Sequence, residues 1–458
     1  MADIFFSVGA NTGDLKTGSP YMVISGGVMQ FTIAQTGNIG VGDIVLANSI
    51  EYMIVGKTTQ SQWSVRNVDG TAASPVGTPT AVTSIKRAFN TMNAAIDGTS
   101  SGIAAELGTE DLVANTWRLF IACYDDSGDD QSFTVIEDDW TTDSDYYIQI
   151  YTPINTSTQC NNSQRHDGTY DGNGYTMRST DGTSYRWNIG GLNPAYTKVI
   201  GIKIIRNGSN WNYGAGIDYS YQTAAGSSNC GEYAEVAYNA LYCDSGTGQS
   251  NAELLKLNYT GPNRGIGWYI HDNFFGSASS DLGMALEISI DYSEADASRT
   301  KLYNNTVYGS YASKGVQLNV TNTPTYRPYV KNNSVYNSGS GPDYQFPGGD
   351  FDNADSEFAY NVSDDTSAGS SNNNQQITVA NWDLVDTTFS TLDLHIQSTS
   401  DLIAQGIGPA SDSNVSQYDI DGDDRGAAST TTDVGADFYP SAVSVHVPQH
   451  IFQAKGAI

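Results

Sequence analysis

The chain has 458 residues, with 50 acidic against 21 basic side chains and a formal net charge of −29. That balance excludes a nucleic-acid-binding surface, which needs clustered cations, and argues equally against anionic membranes and polyanionic substrates. No run of 18 apolar residues occurs, so membrane insertion is not expected, and 29 Tyr and 47 Gly among abundant Asn, Ser and Thr describe short strands joined by polar turns.

The opening stretch, Met1 to Asp14, lacks a charged leader followed by a long apolar run. The expectation is an extracellular protein whose signal has been removed or which leaves the cell another way, for example inside a virion released by lysis. Alternation over 21–35 and 44–68, punctuated by Gly26-Gly27 and Asn48-Ser49, predicts a small antiparallel β-domain of hairpins within 1–81, suited to attachment. Residues 69–81 read as a linker. The period then changes. Ser84 precedes Ile85, Phe89, Met92 and Ile96, and Gly98 follows, which predicts a capped amphipathic helix in the region 82–114. Its expected job is to cover the open end of the array that follows.

From about residue 115, strands of four to eight residues succeed one another, ending at Asn, Asp, Gly or Ser. Across 115–376 one Asn recurs before apolar or aromatic residues: Asn207, Asn239, Asn273, Asn305, Asn333 and Asn361, at intervals of 32, 34, 32, 28 and 28. One solenoid coil per interval would stack these amides at the ~4.8 Å spacing of paired strands, as a hydrogen-bonded ladder. Asn also tolerates the left-handed backbone of a sharp corner. Val307 and Val335, following their Asn, would point inward. Propeller blades need ~40–45 residues, and a sandwich gives no reason for a recurring Asn. The expected fold class is all-β: a right-handed parallel β-helix of about eight to ten coils, preceded by the small β-domain and capping helix. Residues 363–376 read as a low-complexity surface loop, and 377–458 as the last coils and a cap.

Three C-terminal fragments carry a resemblance. They run through Leu394, His395, Gln397, Ser400, Leu402, Ile403 and Gly406, then Asp419, Asp421, Gly422 and Arg425, then Asp433, Gly435 and Ala436. In that order they resemble the tail of right-handed parallel β-helix repeat proteins of bacteria and phages. The chain departs at Asp437, where the group more often has Glu, and at Ser400-Asp401, where Ser-Pro is usual. The group mixes surface proteins, virion-associated proteins and polysaccharide-degrading enzymes, so the resemblance implies the fold and leaves the activity open.

Asp419, Asp421 and Asp423 alternate around Gly422 in an oxygen-rich turn that suits calcium. The turn lacks the EF-hand order of Gly and Glu, and the competing reading is a structural turn in which Arg425 pairs with Asp421 or Asp433. No cofactor is required; calcium is the candidate. Asp125, Asp126, Asp129 and Asp130 form a second acidic turn, and Arg165-His166-Asp167 reads as a turn as well. Carboxylate pairs carry glycoside hydrolysis, and Asp272, Asp291 and Glu294 lie on expected coils, but 50 acids single out no pair. No carboxylate triplet accompanies Arg178, Arg206, Arg264, Arg299 or Arg327 at a lyase-like spacing. Cys123, Cys160, Cys230 and Cys243 form no CxxC pair, leaving disulfides or buried thiols.

Aromatic clusters give the better hint. Trp211, Tyr213, Tyr219 and Tyr221, and Tyr146 with Tyr147, offer ring faces on which sugars stack. The expectation is a non-enzymatic structural and adhesive protein of a virion appendage or cell surface. Its partners would be glycans or other subunits of an assembly, copies of itself included. The alternatives are a polysaccharide lyase or glycoside hydrolase on the same scaffold, and an extracellular filament subunit.

Overall fold

The computed structural model describes residues 1–440, apart from 97–101, 133, 137–139, 180–188, 191–195, 208–213, 221–233, 246–251, 261–266, 279–281, 292–299, 322–326 and 349–350. Across the described residues the chain visits three parallel sheets in rotation, so that each strand pairs with its counterpart one coil further on. The first sheet has nine strands, from Ala2–Val8 and Trp117–Cys123 to Phe358–Ala359. The second has eight, from Thr176–Ser179 to Gln375–Gln376, and the third seven, from Thr134–Val135 to Tyr344–Gln345. This is an all-β parallel solenoid.

Its core is built of in-register columns. In the first sheet Phe6, Ile121, Ile150, Val199, Val236, Ile270, Leu302, Val330 and Phe358 follow one another, all buried. Val307 and Val335 stack inward in the second sheet behind Phe275. Each such side chain contributes ~1.5–3 kcal/mol relative to exposure. Branched and aromatic residues fit these pleated positions best.

The N-terminal region differs from expectation in two ways. Strand Ala2–Val8 is no part of the β-domain; it pairs in parallel with Trp117–Cys123 as the first rung of the first sheet. The domain itself is a closed antiparallel barrel, in the order Tyr21–Ser25, Val28–Phe31, Gln62–Asn67, Ile50–Thr59, Ile44–Ala47, Val76–Lys86. The last strand absorbs residues 76–81 of the expected linker and the expected helix start, so Ser84 caps no helix. Ile85 instead pairs with Val45 and is buried in the barrel core. Closing the barrel satisfies the backbone groups of two open edges, which outweighs one turn of helix. Helix begins at Met92–Ile96 and continues in Gly102–Leu107 and Leu112–Asn115. Met92, Ile96, Ile103 and Leu112 are buried in the solenoid core cluster at its first end.

Arg87 ties the barrel to the solenoid. Its guanidinium donates to both oxygens of barrel residue Asp43 at 2.7 and 2.8 Å and to both oxygens of Asp126 at 2.8 Å. A fifth bond goes to the Asn38 carbonyl at 2.7 Å, and the group lies 3.7 Å over the Tyr124 ring. Every donor of a buried cation is thereby satisfied.

Residues 377–440 do not continue the coils. They fold back along the outside of the second sheet, where Trp382, Leu392, Leu394, Ile420 and Val434 bury against Ile205, Tyr242, Phe274 and Val362. A parallel sheet with apolar residues on both faces needs cover on both. The segment 363–376 is likewise more than a surface loop, since Gln375–Gln376 forms the last strand of the second sheet.

Candidate functional site

The first and second sheets meet at a repeated two-residue corner. The left-handed position is taken by Tyr238, Asp272, Asn304, Asn332 and Tyr360, with φ between 52° and 59°. The next residue in each coil is Asn239, Asn273, Asn305, Asn333 or Asn361, so the strained backbone belongs to the residue before the ladder Asn and not to the Asn itself. Asn239 donates through its side-chain and backbone N–H to Asn273 Oδ1, both at 3.0 Å. Asn273 does the same to Asn305, Asn305 to Asn333, and Asn333 to Asn361, all between 2.9 and 3.2 Å. Asn374, from the expected loop, ends the ladder by accepting from the Asn361 backbone at 2.9 Å. The backbone places Asn207 away from this corner. The corner of its coil is Gly201-Ile202, where Gly201 has φ 73° and the Ile202 N–H donates to Asn239 Oδ1 at 2.9 Å. Asn207 lies at the end of strand Lys203–Asn207, opposite Ser245.

A chain of charges crosses this corner. Arg425 Nη1 from the tail lies 2.7 Å from Asp272 Oδ1, both side chains being fully buried. Asp272 Oδ2 meets His271 Nδ1 at 2.7 Å, His271 Nε2 meets Glu235 Oε1 at 3.3 Å, and Glu235 Oε2 meets Lys198 Nζ at 2.9 Å. Burial works against the charged His271, but bonds to Asp272 and Glu235 win and raise its pKa above the ordinary value. Burial likewise opposes ionised Glu235, yet Lys198 and His271 hold it below the usual carboxylate range.

The acidic turn 419–423 is organised from within. Asp419 Oδ1 accepts the backbone N–H groups of Asp421, Gly422 and Asp423 at 3.0, 2.7 and 2.6 Å, and its Oδ2 accepts Phe438 N–H at 3.1 Å. Both oxygens of Asp419 thus hold the turn together through backbone donors. Asp421 is directed to His395, with Oδ2 2.9 Å from Nε2. Arg425 goes to Asp272 instead of Asp421 or Asp433, and Asp433 accepts from Ala404 and Tyr439 backbone N–H groups at 2.8 Å.

Of the aromatic candidates, Tyr219 is buried and its hydroxyl donates to the Thr197 carbonyl at 3.0 Å, so it serves the core and offers no ring to a ligand. Trp211, Tyr213 and Tyr221 lie outside the described residues. Tyr146 and Tyr147 are half-buried, with Lys198 Nζ 4.8 Å over the Tyr147 ring. Tyr147 borders a row that sequence reasoning missed. On the outward face of the first sheet, Phe5, Phe120, Gln149, Lys198, Glu235, Tyr269, Lys301 and Tyr329 follow one another in register. Phe5 and Phe120 stack at 4.9 Å, and all but Gln149 are half-buried. A signal existed: Glu235, Tyr269, Lys301 and Tyr329 each stand four residues before a ladder Asn.

The outer face of the third sheet carries a carboxylate pair. Lys256 Nζ lies 3.8 Å from Glu253 Oε2 and 3.4 Å from Glu287 Oε2. Glu287 Oε1 accepts from Ser289 at 3.0 Å and Gln317 at 3.1 Å. Glu253 Oε2 is buried without a hydrogen-bond partner, and burial pushes its carboxyl up to about 8. Of the acids read from sequence, Asp272 is committed to Arg425, and Glu294 lies outside the described residues. Cys123, Cys160 and Cys243 are buried free thiols; Cys230 lies outside the described residues.

No family model matches the chain, and neither a curated protein nor a solved structure matches it.

Proposed function

We propose that this chain is an adhesive structural rod of a virion appendage or cell surface, contacting glycans along the outward row of the first sheet. The observation that supports this is the row itself. Half-buried rings and charged groups repeat once per coil on a scaffold held rigid by the ladder and the folded-back tail. Flat ring faces pack against the C–H faces of sugars, and neighbouring charged and amide groups bond their hydroxyls. The acidic chain directs the choice towards neutral glycans. Affinity electrophoresis through gels containing neutral polysaccharides tests the reading. Retardation by one glycan that is lost in Tyr147→Ala and Tyr329→Ala supports it; no retardation on any glycan removes it and leaves assembly as the role.

One observation favours a second reading, a polysaccharide-cleaving enzyme. Glu253, whose carboxyl burial pushes up to about 8, shares Lys256 with Glu287, which gives a carboxyl fit to donate a proton beside a second carboxylate. New reducing ends released by the wild type but not by Glu253→Gln would establish it.

A further inference from the structure

Three separate segments of the tail converge on one point. His395 comes from strand Asp393–Ile396, Asp421 from the acidic turn, and Asp437 from the segment beyond strand Thr431–Thr432. One ligand atom from each lies within 4.8 Å of the others. The His395 ring is fixed from two sides. Phe274 meets it edge-on at 5.2 Å, and Gly168 lies so close that a Cβ there would come within 2.6 Å of its Cε1.

The orientation of the ring decides its chemistry. Nδ1 is bonded to Asp393 Oδ1, the carboxylate–imidazole arrangement that orients metal-bound histidines and fixes their tautomer. With the proton held on Nδ1, the lone pair of Nε2 faces two carboxylates. Nε2 lies 2.9 Å from Asp421 Oδ2, so it already points at one of the two carboxylates. Electron pairs on three converging groups repel unless a cation or an added proton sits between them. Asp437 is itself buried, with one oxygen accepting the Ile396 N–H at 2.7 Å, while Asp421 stays about one-third exposed and keeps the point open to solvent.

We propose that His395, Asp421 and Asp437 bind one divalent transition-metal ion that staples the tail over the second sheet. An imidazole nitrogen with two carboxylates suits zinc or its neighbours, whereas calcium takes oxygen ligands alone. Asp393 is the positioning residue. The ion differs in place and kind from calcium in the 419–423 turn, because its ligands include an imidazole and omit Asp419 and Asp423.

The test uses the full chain. After EDTA treatment and desalting, zinc is added back, and bound metal is counted by mass spectrometry beside a thermal melt. The expected result is one zinc per chain and a higher melting temperature with zinc than without. Asp421→Asn, at a partly exposed position, is expected to lose the bound zinc while keeping the melting temperature of the metal-free wild type. Asp393→Asn is expected to weaken zinc affinity by ~10–100-fold. Two results overturn the proposal: less than a stoichiometric ion in the wild type, or undiminished binding in Asp421→Asn. Cobalt substitution gives a readout independent of stability, since its visible spectrum reports the coordination geometry of the bound ion.

Discussion

Arg425 and Asp272 meet at 2.7 Å, with both side chains shut away from water. Asp272 is the left-handed corner residue immediately before ladder residue Asn273, and Arg425 belongs to the tail. The ion pair therefore fastens the folded-back segment to the ladder corner. Arg425 also donates to the carbonyls of Tyr418 at 2.6 Å and Ala436 at 3.0 Å, so one side chain organises the tail turn and its docking together.

Breaking this pair takes the opposite charge from a fully buried group, leaving Asp272 only His271 and Arg425 only its carbonyl acceptors. Arg425→Met and Asp272→Asn are each expected to cost ~3–5 kcal/mol, and the double variant less than the sum of the two. Urea unfolding of the four proteins measures the coupling. Additive costs would mean that the two side chains do not interact.

The ladder makes a graded prediction. Asn305→Ala removes the acceptor of two Asn273 bonds together with three side-chain donor bonds, and is expected to cost at least ~2 kcal/mol. Asn374→Ala, at the ladder's end, removes fewer bonds and is expected to cost less. Denaturation midpoints of both variants check the order.

How much of this was legible follows from what each signal demands. A ladder needs the same amide at the same place in every coil, so its period stands out in the sequence from Asn239 to Asn361. Gly201-Ile202 turns the same corner without an amide, so the corner period does not extend back from Asn239 to Asn207. Ile85, Phe89, Met92 and Ile96 satisfy helical spacing although the first closes a barrel strand, because tertiary pairing overrides a four-residue pattern. The docking of the tail was hidden as well. In the run Phe274-Phe275 one ring faces the core and the other the tail, and composition cannot tell them apart. The Arg425–Asp272 pair joins residues remote in sequence, and 50 acids offer too many partners to choose from.

His271 gives a pH signature. Its folded pKa is raised, so the stability from its pairing is fully present below the unfolded value of ~6.5 and is lost as pH rises through the folded value. Glu235 is lowered, so its contribution is present above ~4.3 and is lost as pH falls through its folded value. The wild type is expected to exceed His271→Gln most between about pH 5 and 6, with the gap closing above the raised His271 value. Midpoints measured across pH 4–9 follow the gap; a difference that does not change with pH would contradict the pairing.

Glu253 works in the opposite sense. With its carboxyl raised to about 8 by burial, ionisation progressively destabilises the fold as pH climbs from the unfolded value of ~4.3 to the folded one. Glu253→Gln is therefore expected to melt higher than the wild type at pH 9, and the advantage to fade at pH 4. Thermal melts at the two pH values decide it; equal melting temperatures at pH 9 would argue against a buried, unbonded Oε2.

The central claim, adhesion without cleavage, is tested most directly by incubating the purified chain with a panel of neutral and acidic polysaccharides and measuring both retention and new reducing ends. The account predicts retention on a neutral glycan, loss of retention in Tyr147→Ala, and no new ends. New reducing ends that disappear in Glu253→Gln would contradict it and move the function from the first sheet to the third.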